Sequence, residues 1–328
     1  MSENPTVGVV VLNWNGADDT CRCIRSIRES KYSKLRTIVV DNGSREGQVS
    51  KIRNEHGDFI DTLIENGENL GYAAGNNVGI RHALSEYDCS YVLILNNDTV
   101  LEADAISELV QGAEQRDAGI VGPKIQSLQE ESIISTAGGK IYSLLGQHKM
   151  RGKGEKDEGQ YDVPSEVDFV SGACMLIRKE VFEAIGLIPT FYFLQWEDID
   201  FCTEAEKRGF KVLYWPQSLV YHEVNASFER EAKVYPMVTR GFRNRLWYFR
   251  RHSTRREKLI LLFTLPMITL PIHLFYYIIV RRDIQYIMQF LKGIYWGSTK
   301  NIGEGPDPDP ELRDVAEKAK HIPTDVLE

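Results

Sequence analysis

The segment Tyr91-Val-Leu-Ile-Leu-Asn-Asn-Asp98-Thr99 constrains this chain most, because a short apolar run delivers two amides and then a carboxylate to one end. Ile38-Val39-Val40-Asp41-Asn42-Gly43-Ser44 repeats the arrangement. Asp and Asn after a strand are also common turn formers. Two strands of one α/β sheet that both end in acid and amide side chains point further, to a ligand site at the carboxyl edge of the sheet, where open α/β sheets bind nucleotides. Oxygen ligands held there suit a hard divalent cation that neutralises a diphosphate.

The surrounding pattern predicts such a sheet. Val7 to Leu12 reads as a strand covered on both faces, broken by Asn13-Trp14-Asn15-Gly16, with Asp18 or Asp19 as cap of a helix running toward Ser30. Leu35 to Val40, Thr62 to Ile64 and Tyr91 to Leu95 read as further strands, with helices around Ile52 and from Asn77 to Leu84 between them. This alternation implies right-handed crossovers and a mainly parallel sheet. Beyond Val121 the pattern weakens, and Gly152 to Gly159 reads as an exposed, mobile loop. Strands are expected again at Val167 to Val170, Cys174 to Ile177 and Lys211 to Trp215, with a helix from Glu197 to Arg208 stopped by Gly209.

A third polar cluster lies far along the chain. Gln195-Trp196-Glu197-Asp198-Ile199-Asp200 places three carboxylates in four residues behind Phe191-Tyr192-Phe193. Acids favour a helix start through its dipole; a carboxylate in an apolar setting also describes a general base. His222, after the strand region Leu219 to Tyr221, is either structural or a metal ligand.

The carboxyl-terminal part has a different character. From Arg240 to Lys258, seven arginines and one lysine face a single acid, Glu257, and Leu259 to Val280 then runs 22 residues without a formal charge. At ~1.5 Å per residue such a helix could cross a hydrocarbon layer ~30 Å thick. Pro266, Pro271 and the following Arg281-Arg282 leave a kinked span, a re-entrant hairpin and an interfacial segment all open. The domains expected are therefore a catalytic domain over 1–228, a basic helical linker over 229–258, a hydrophobic membrane-associated region over 259–300, and an acidic, proline-rich, disordered tail over 301–328.

Composition removes other classes. A formal charge of −8 gives no general electrostatic reason for nucleic-acid binding. Five cysteines without a CxxC pair or zinc spacing predict reduced thiols, and the amino terminus enters a strand with no secretory leader. Asn13-Trp14-Asn15-Gly16 lacks the glycine spacing of a dinucleotide-dependent oxidoreductase. A sugar nucleotidyltransferase and a membrane-tethered sugar-binding protein without turnover stay as alternatives.

Val9 to Asn15, Val39 to Ser44, Asn69-Leu70-Gly71-Tyr72-Ala73-Ala74-Gly75-Asn76-Asn77, Leu95 to Asp98, Ser171-Gly172-Ala173 and Trp196 to Asp200 occur in an order and at a spacing that resemble the family 2 glycosyltransferases of the GT-A fold. The likeness covers roughly residues 6 to 250 and is greatest to rhamnosyltransferase-like members that build cell-surface polysaccharides. It implies an α/β nucleotide-sugar-binding sandwich with a mainly parallel central sheet, followed by a basic helical segment and membrane-associated helices. It implies that Trp14 and Asp41, with Asn42 beside them, lie against the nucleoside, that Gly71 admits the donor, and that Asn77 fixes the loop or contacts the donor. Asp98 would bind Mg²⁺ or Mn²⁺ bridging the diphosphate, Asn96 standing where the family's first acid does, and His222 matches a metal-coordinating histidine of some relatives. The expected reaction is an inverting transfer from a nucleotide-diphosphate sugar of UDP, dTDP or GDP type to a lipid-linked or glycan hydroxyl, with Asp198 as base and Glu197 in support. The expected location is the cytoplasmic face of the cell membrane, the enzyme being anchored through its carboxyl-terminal region.

Overall fold

Runs of β-branched and apolar residues form strands where both faces can be covered, and the central strands here are buried almost throughout their length. In the computed structural model, which describes residues 4–130, 132–223 and 234–303, the first third of the chain alternates strand and helix. It comprises β1 (Val7–Asn13), α1 (Ala17–Arg28), β2 (Leu35–Asp41), α2 (Gln48–His56), β3 (Thr62–Glu65), α3 (Gly71–Glu86), β4 (Tyr91–Asn96), β5 (Thr99–Leu101) and α4 (Ala105–Arg116). There follow β6 (Ala118–Ser127), β7 (Ile134–Thr136), the hairpin β8 (Gly139–Tyr142) and β9 (Gln147–Met150), β10 (Ser165–Glu166), β11 (Cys174–Arg178), α5 (Lys179–Ile185), α6 (Glu197–Lys207) and β12 (Lys211–His222).

The chain divides into two compact units. The first holds Met1–Lys140, Met150–Pro189 and Asp198–Ser227; the second holds Ile141–Lys149, Thr190–Glu197 and Phe228–Glu328.

The first unit is built on one mixed sheet, in the order β10-β12-β6-β11-β4-β1-β2-β3. It is parallel from β4 through β1 and β2 to β3, and again between β6 and β12, with β11 antiparallel between the two parallel blocks. The carboxyl ends of β1, β2, β4 and β12 therefore emerge on one edge, and the amino end of β11 emerges with them. All five cysteines are free and buried.

Several sequence expectations change here. Asp18 and Asp19 do not cap α1, which begins after Gly16, so both acids sit in the first turn, where the helix dipole favours them. Helix α3 starts at Gly71, which itself adopts φ +83°, instead of near Asn77. The 152–159 loop is not free: Asp157 N–H donates to Ser132 O at 2.7 Å, and the buried Lys124 ammonium reaches both Asp157 (2.8 Å) and Asp162. Charge pairing across 33 positions leaves no local pattern, which hides it from the sequence. Strand β12 runs on to His222 across an irregularity between Trp215 and Leu219.

The second unit is helical. It contains α7 (Val234–His252), a long apolar helix made of α8 (Arg255–Thr264), a widened π turn at Leu265–Thr269, α9 (Leu270–Phe275) and a second π turn at Tyr276–Arg281, and then α10 (Ile284–Thr299). Thr254 starts α8 with a reciprocal cap, its side chain accepting from Glu257 N–H while Glu257 accepts from Thr254 N–H. Helix α10 packs closely on α7 because Gly293 and Gly297 present no side chain. A Cβ on Gly293 would sit 2.6 Å from Thr239 O, and one on Gly297 2.8 Å from Leu246 Cβ. The tail expected to be disordered lies, from residue 304 on, outside the described residues, as do residues 224–233 of the segment joining β12 to α7.

Candidate active site

Strand register sets the edge of the first unit. Asn13, the last residue of β1, pairs with Asp41, the last of β2, and Leu12 pairs with Asn96, the last of β4. Asn13 Nδ2 donates to Asp41 Oδ1 at 2.7 Å, and the other carboxylate oxygen accepts from Ser44 N–H at 3.0 Å. Asp41 is thus a buried carboxylate fixed in orientation by two donors, the arrangement expected of an acid that must present its remaining lone pairs to a ligand. Trp14, next along the chain, is half-buried.

The second group gathers after β4. Register between β5 and β12 sets Thr99 against His222 and brings His222 Nε2 to 3.0 Å from Asp98 Oδ1. Asn96 Nδ2 lies 3.5 Å from the same ring nitrogen. A carboxylate oxygen and an imidazole nitrogen suit Mn²⁺, and two ligands bound at ~2.1 Å at right angles stand ~3 Å apart, so the pair fits a divalent cation. Asn97 does not join it: its amide donates to Gly16 O (3.2 Å) and Thr20 Oγ1 (3.0 Å) and ties the turn to the start of α1.

The third group centres on Asp198. Its Oδ2 accepts from Gly172 N–H at 3.0 Å and its Oδ1 from Ile199 N–H at 2.8 Å. Burial lifts the carboxyl above the ordinary carboxylate range against the pull of those donors. Gly172 is fixed in turn by Tyr72, whose hydroxyl donates to Gly172 O at 2.6 Å. A Cβ at position 172 would sit 2.7 Å from that hydroxyl. Ala173 O accepts from Asn96 N–H at 2.9 Å. One turn, Ser171 to Ala173, therefore bonds both to the base candidate and to the end of β4, two residues before Asp98.

Asn42 and Asn77 both bond within the protein. The Asn42 side chain is saturated inside the protein: Nδ2 donates to Asn69 Oδ1 (2.9 Å) and Gly71 O (3.1 Å), while Oδ1 accepts from Asn66 Nδ2 (3.0 Å) and Leu70 N–H (3.1 Å). It shapes the loop that leads to Gly71 and has no donor or acceptor left for a nucleotide. Asn77 likewise exchanges two bonds with the backbone of Ile188, 2.8 and 3.1 Å, and fixes that loop. Glu197 and Asp200 are buried.

The second unit supplies a feature that the sequence did not assign. Within it, the loop before α6 holds Phe193, Gln195 and Trp196 at φ of +66°, +71° and +79°, a region that non-glycine residues rarely adopt. Asn244 on α7 clamps it, its amide donating to Leu194 O (2.9 Å), Gln195 O (2.8 Å) and Tyr192 O (3.1 Å), and Arg243 Nη2 adds a bond to Tyr192 O (3.2 Å). Trp196 packs against Tyr248 and Phe249. The only trace in the sequence is the Arg243-Asn244-Arg245 triplet, which carries no spacing that announces the clamp.

The basic stretch is correspondingly not one exposed face. Arg240, Arg243 and Arg245 are buried: Arg240 lies over Phe193 (5.2 Å), Arg243 over Trp247 (4.5 Å), and Arg245 donates to Gly146 O. Burial pulls Arg245 down to about 10, which leaves it charged at neutral pH.

The family model described as glycosyltransferase-like family 2 matches residues 5–237. The low-salt glycan biosynthesis hexosyltransferase Agl10 of Haloferax volcanii is 28% identical over 212 residues, which are 63% of this chain and 63% of the relative; the chain thus spans less than two thirds of that protein. The N-acetylglucosaminyl-diphospho-decaprenol L-rhamnosyltransferase of Mycobacterium tuberculosis is 25% identical over 243 residues, 68% of this chain and 78% of the relative. Among solved structures, the mannosyltransferase of Pyrobaculum calidifontis in complex with GDP-Man and Mn²⁺ superposes with a TM-score of 0.57 at 17% identity, covering 92% of this chain and 88% of that one.

Proposed function

The chain belongs to glycosyltransferase-like family 2 and has the GT-A fold, and from that premise we propose that it moves a sugar from a nucleotide-diphosphate donor to a hydroxyl of a lipid-linked or glycan acceptor, with inversion. The observation that carries the reading is the Ser171–Ala173 turn, whose Gly172 N–H and Ala173 carbonyl tie Asp198 to the end of β4. A base and a diphosphate site must lie a sugar's width apart for in-line displacement, and this turn joins their supports on one sheet edge.

Asp198 is the base. Burial makes its raised carboxyl a stronger proton acceptor than an ordinary one, and the Gly172 and Ile199 N–H groups hold its two oxygens in place while the acceptor hydroxyl gives up its proton. Asp98 and His222, with Asn96 beside them, would hold Mn²⁺ or Mg²⁺, and such a cation would neutralise charge on the departing nucleoside diphosphate. Asp41, oriented by Asn13 and Ser44, accepts from the base or ribose, and Trp14 stacks on the nucleoside. Gly71, at the start of α3, adopts a left-handed φ of +83° that its lack of a side chain allows. Glu197 supports the start of α6.

The name of the mycobacterial relative supports a lipid diphosphate acceptor, and the long apolar helix of the second unit, with little of its surface buried, supports membrane association. Five free thiols support the cytoplasmic side.

The test is a panel of UDP-, dTDP- and GDP-sugars with Mn²⁺ or Mg²⁺, read by thermal shift and by slow donor hydrolysis. One donor class should stabilise the chain only when metal is present. Absence of any metal-dependent shift across the panel would defeat the proposal.

A further inference from the structure

The geometry of the second unit points to one arrangement of its apolar helix: we infer that the helix lies in the plane of an anionic membrane surface, outer face in lipid and inner face on α7, and does not cross the bilayer. This deepens the membrane association proposed above and rests on it, but not on sugar transfer.

The helix, 26 residues from Arg255 to Val280, is long and apolar enough to span. Its inner face argues otherwise. Leu261, Thr269 and Tyr277 are buried, at eight-residue spacing, and His273 between the last two lies 4.9 Å from Phe242 of α7 and 5.6 Å from Phe290 of α10. In a regular α-helix, positions four apart drift by about 40° around the axis, so a stripe from 261 to 277 would wind through about 160° and leave α7. The π turn at Leu265–Thr269, the first of the two, holds more residues per turn and takes up part of that drift. Pro266, which has no N–H to give, sits at the start of the first. The stripe thus stays on its neighbours for the length of the helix.

Whatever depth the apolar helix takes, α7 must therefore share. Helix α7 carries Arg243, Asn244 and Arg245, bonded to the carbonyls of the 192–195 loop and of Gly146, and Arg240, buried over the Phe193 ring. A spanning helix would carry this polar assembly to the middle of the bilayer, where arginine is strongly disfavoured. An in-plane helix leaves it on the water side.

The outer face is built for lipid. Leu262, Phe263, Met267 and Phe275 are 68, 71, 76 and 63% exposed. On α10 an exposed stripe of Ile284, Met288, Leu291 and Tyr295 continues the apolar surface at helical spacing. Leu144 adds to it from the turn between β8 and β9, whose carbonyl accepts from Thr264 Oγ1 at 3.1 Å. Exposed Arg255, Arg256 and Lys258 bracket one end of the helix and Arg282 the other. A second copy is a poor occupant, because pairing in either direction sets cations against cations. Glu257 closes the cap of α8 and Asp283 caps α10, so neither is placed to answer them. An anionic headgroup layer matches both ends at once.

The experiment uses the full chain with vesicles of phosphatidylglycerol or of phosphatidylcholine alone. Lys258→Cys and Arg282→Cys place a thiol at each end of the helix, against a background of five buried cysteines. The expected result is sedimentation with the anionic vesicles, labelling of both positions by a membrane-impermeant maleimide added outside, and loss of vesicle partitioning by about tenfold or more in Phe263→Glu, with Leu144→Glu acting in the same direction. Labelling of one end alone until the vesicles are lysed would establish a span and overturn the inference. So would concentration-dependent self-association without vesicle binding. The donor panel is read separately, so a failure of the sugar-transfer reading leaves this outcome intact and the converse also holds.

Discussion

Replacing Asn244 by Leu removes the clamp on the 192–195 loop without creating a cavity. The amide has two protons and reaches three carbonyls, at 2.8, 2.9 and 3.1 Å, and Asn244 is fully buried, so no water can take its place. Tyr192 O keeps its bond from Arg243, which leaves the part-buried Leu194 O and Gln195 O without the Asn244 donor. At about 1–3 kcal/mol each, the loss is about 2–6 kcal/mol. The loop has a way to reduce it. Phe193, Gln195 and Trp196 sit in left-handed conformations that cost about 1–3 kcal/mol each, and releasing one of them offsets part of the loss. The net destabilisation should therefore be about 2–4 kcal/mol by urea unfolding, and it should be accompanied by a moved loop. Because Asp198 lies two residues beyond Trp196, a displacement of about 1 Å is enough to lower kcat by about 100-fold while donor KM changes little. Asn244→Ala serves as the companion variant, since it removes the donors without the added methyl bulk of Leu. If both variants unfold within about 0.5 kcal/mol of the parent and keep its kcat, the clamp has been given a role it does not have.

Asp198→Asn should lower transfer by about two to four orders of magnitude with donor binding retained; near-parental turnover in a radiolabelled transfer assay would remove the base assignment. In the parent chain, the single-turnover rate should rise with pH through an apparent pKa above the ordinary Asp value of ~3.9, because burial holds the Asp198 carboxyl up. The matching stability term has the opposite slope: a carboxyl with a raised folded pKa binds protons more tightly when folded, so its contribution is full below the unfolded value and is lost as pH rises through the folded one. Asp98→Asn should abolish the Mn²⁺-dependent thermal shift by nucleoside diphosphate, and His222→Ala should move the Mn²⁺ titration on the order of tenfold higher; an unchanged titration in both would disprove the cation pair. Gly172→Ala should destabilise by about 1–3 kcal/mol through the 2.7 Å approach to the Tyr72 hydroxyl, and adding Tyr72→Phe should return part of it; equal stability of Gly172→Ala and parent in urea would contradict that packing.

What could be read along the chain was what local chemistry determines. Continuous apolar runs ending in Asn13, Asp41 and Asn96 gave strands and their polar ends, because strand propensity and burial act over a few residues. The acids at 98 and 198 and the histidine at 222 were visible as residue types after a strand or at a helix start, and the uncharged run from Leu259 was visible as a helix that wants an apolar partner. Tertiary structure alone decided which of these meet. Asp98 faces His222 through the register of β5 on β12, 124 positions apart. Asn42 and Asn77 were drawn into loop scaffolding because their partners, Asn66 to Gly71 and Ile188, approach only in the folded chain. Two of the basic residues, Arg243 and Arg245, turned inward because the carbonyls of a strained loop and of Gly146 needed donors, a demand that arises from backbone conformation and leaves no periodicity. Sequence thus determined the strands, their chemistry at one end and the apolar helix, all of which follow from short-range preference. Register, the Gly172 turn and the packing of that helix on α7 depend on contacts between distant residues, and those exist only once the chain has closed on itself.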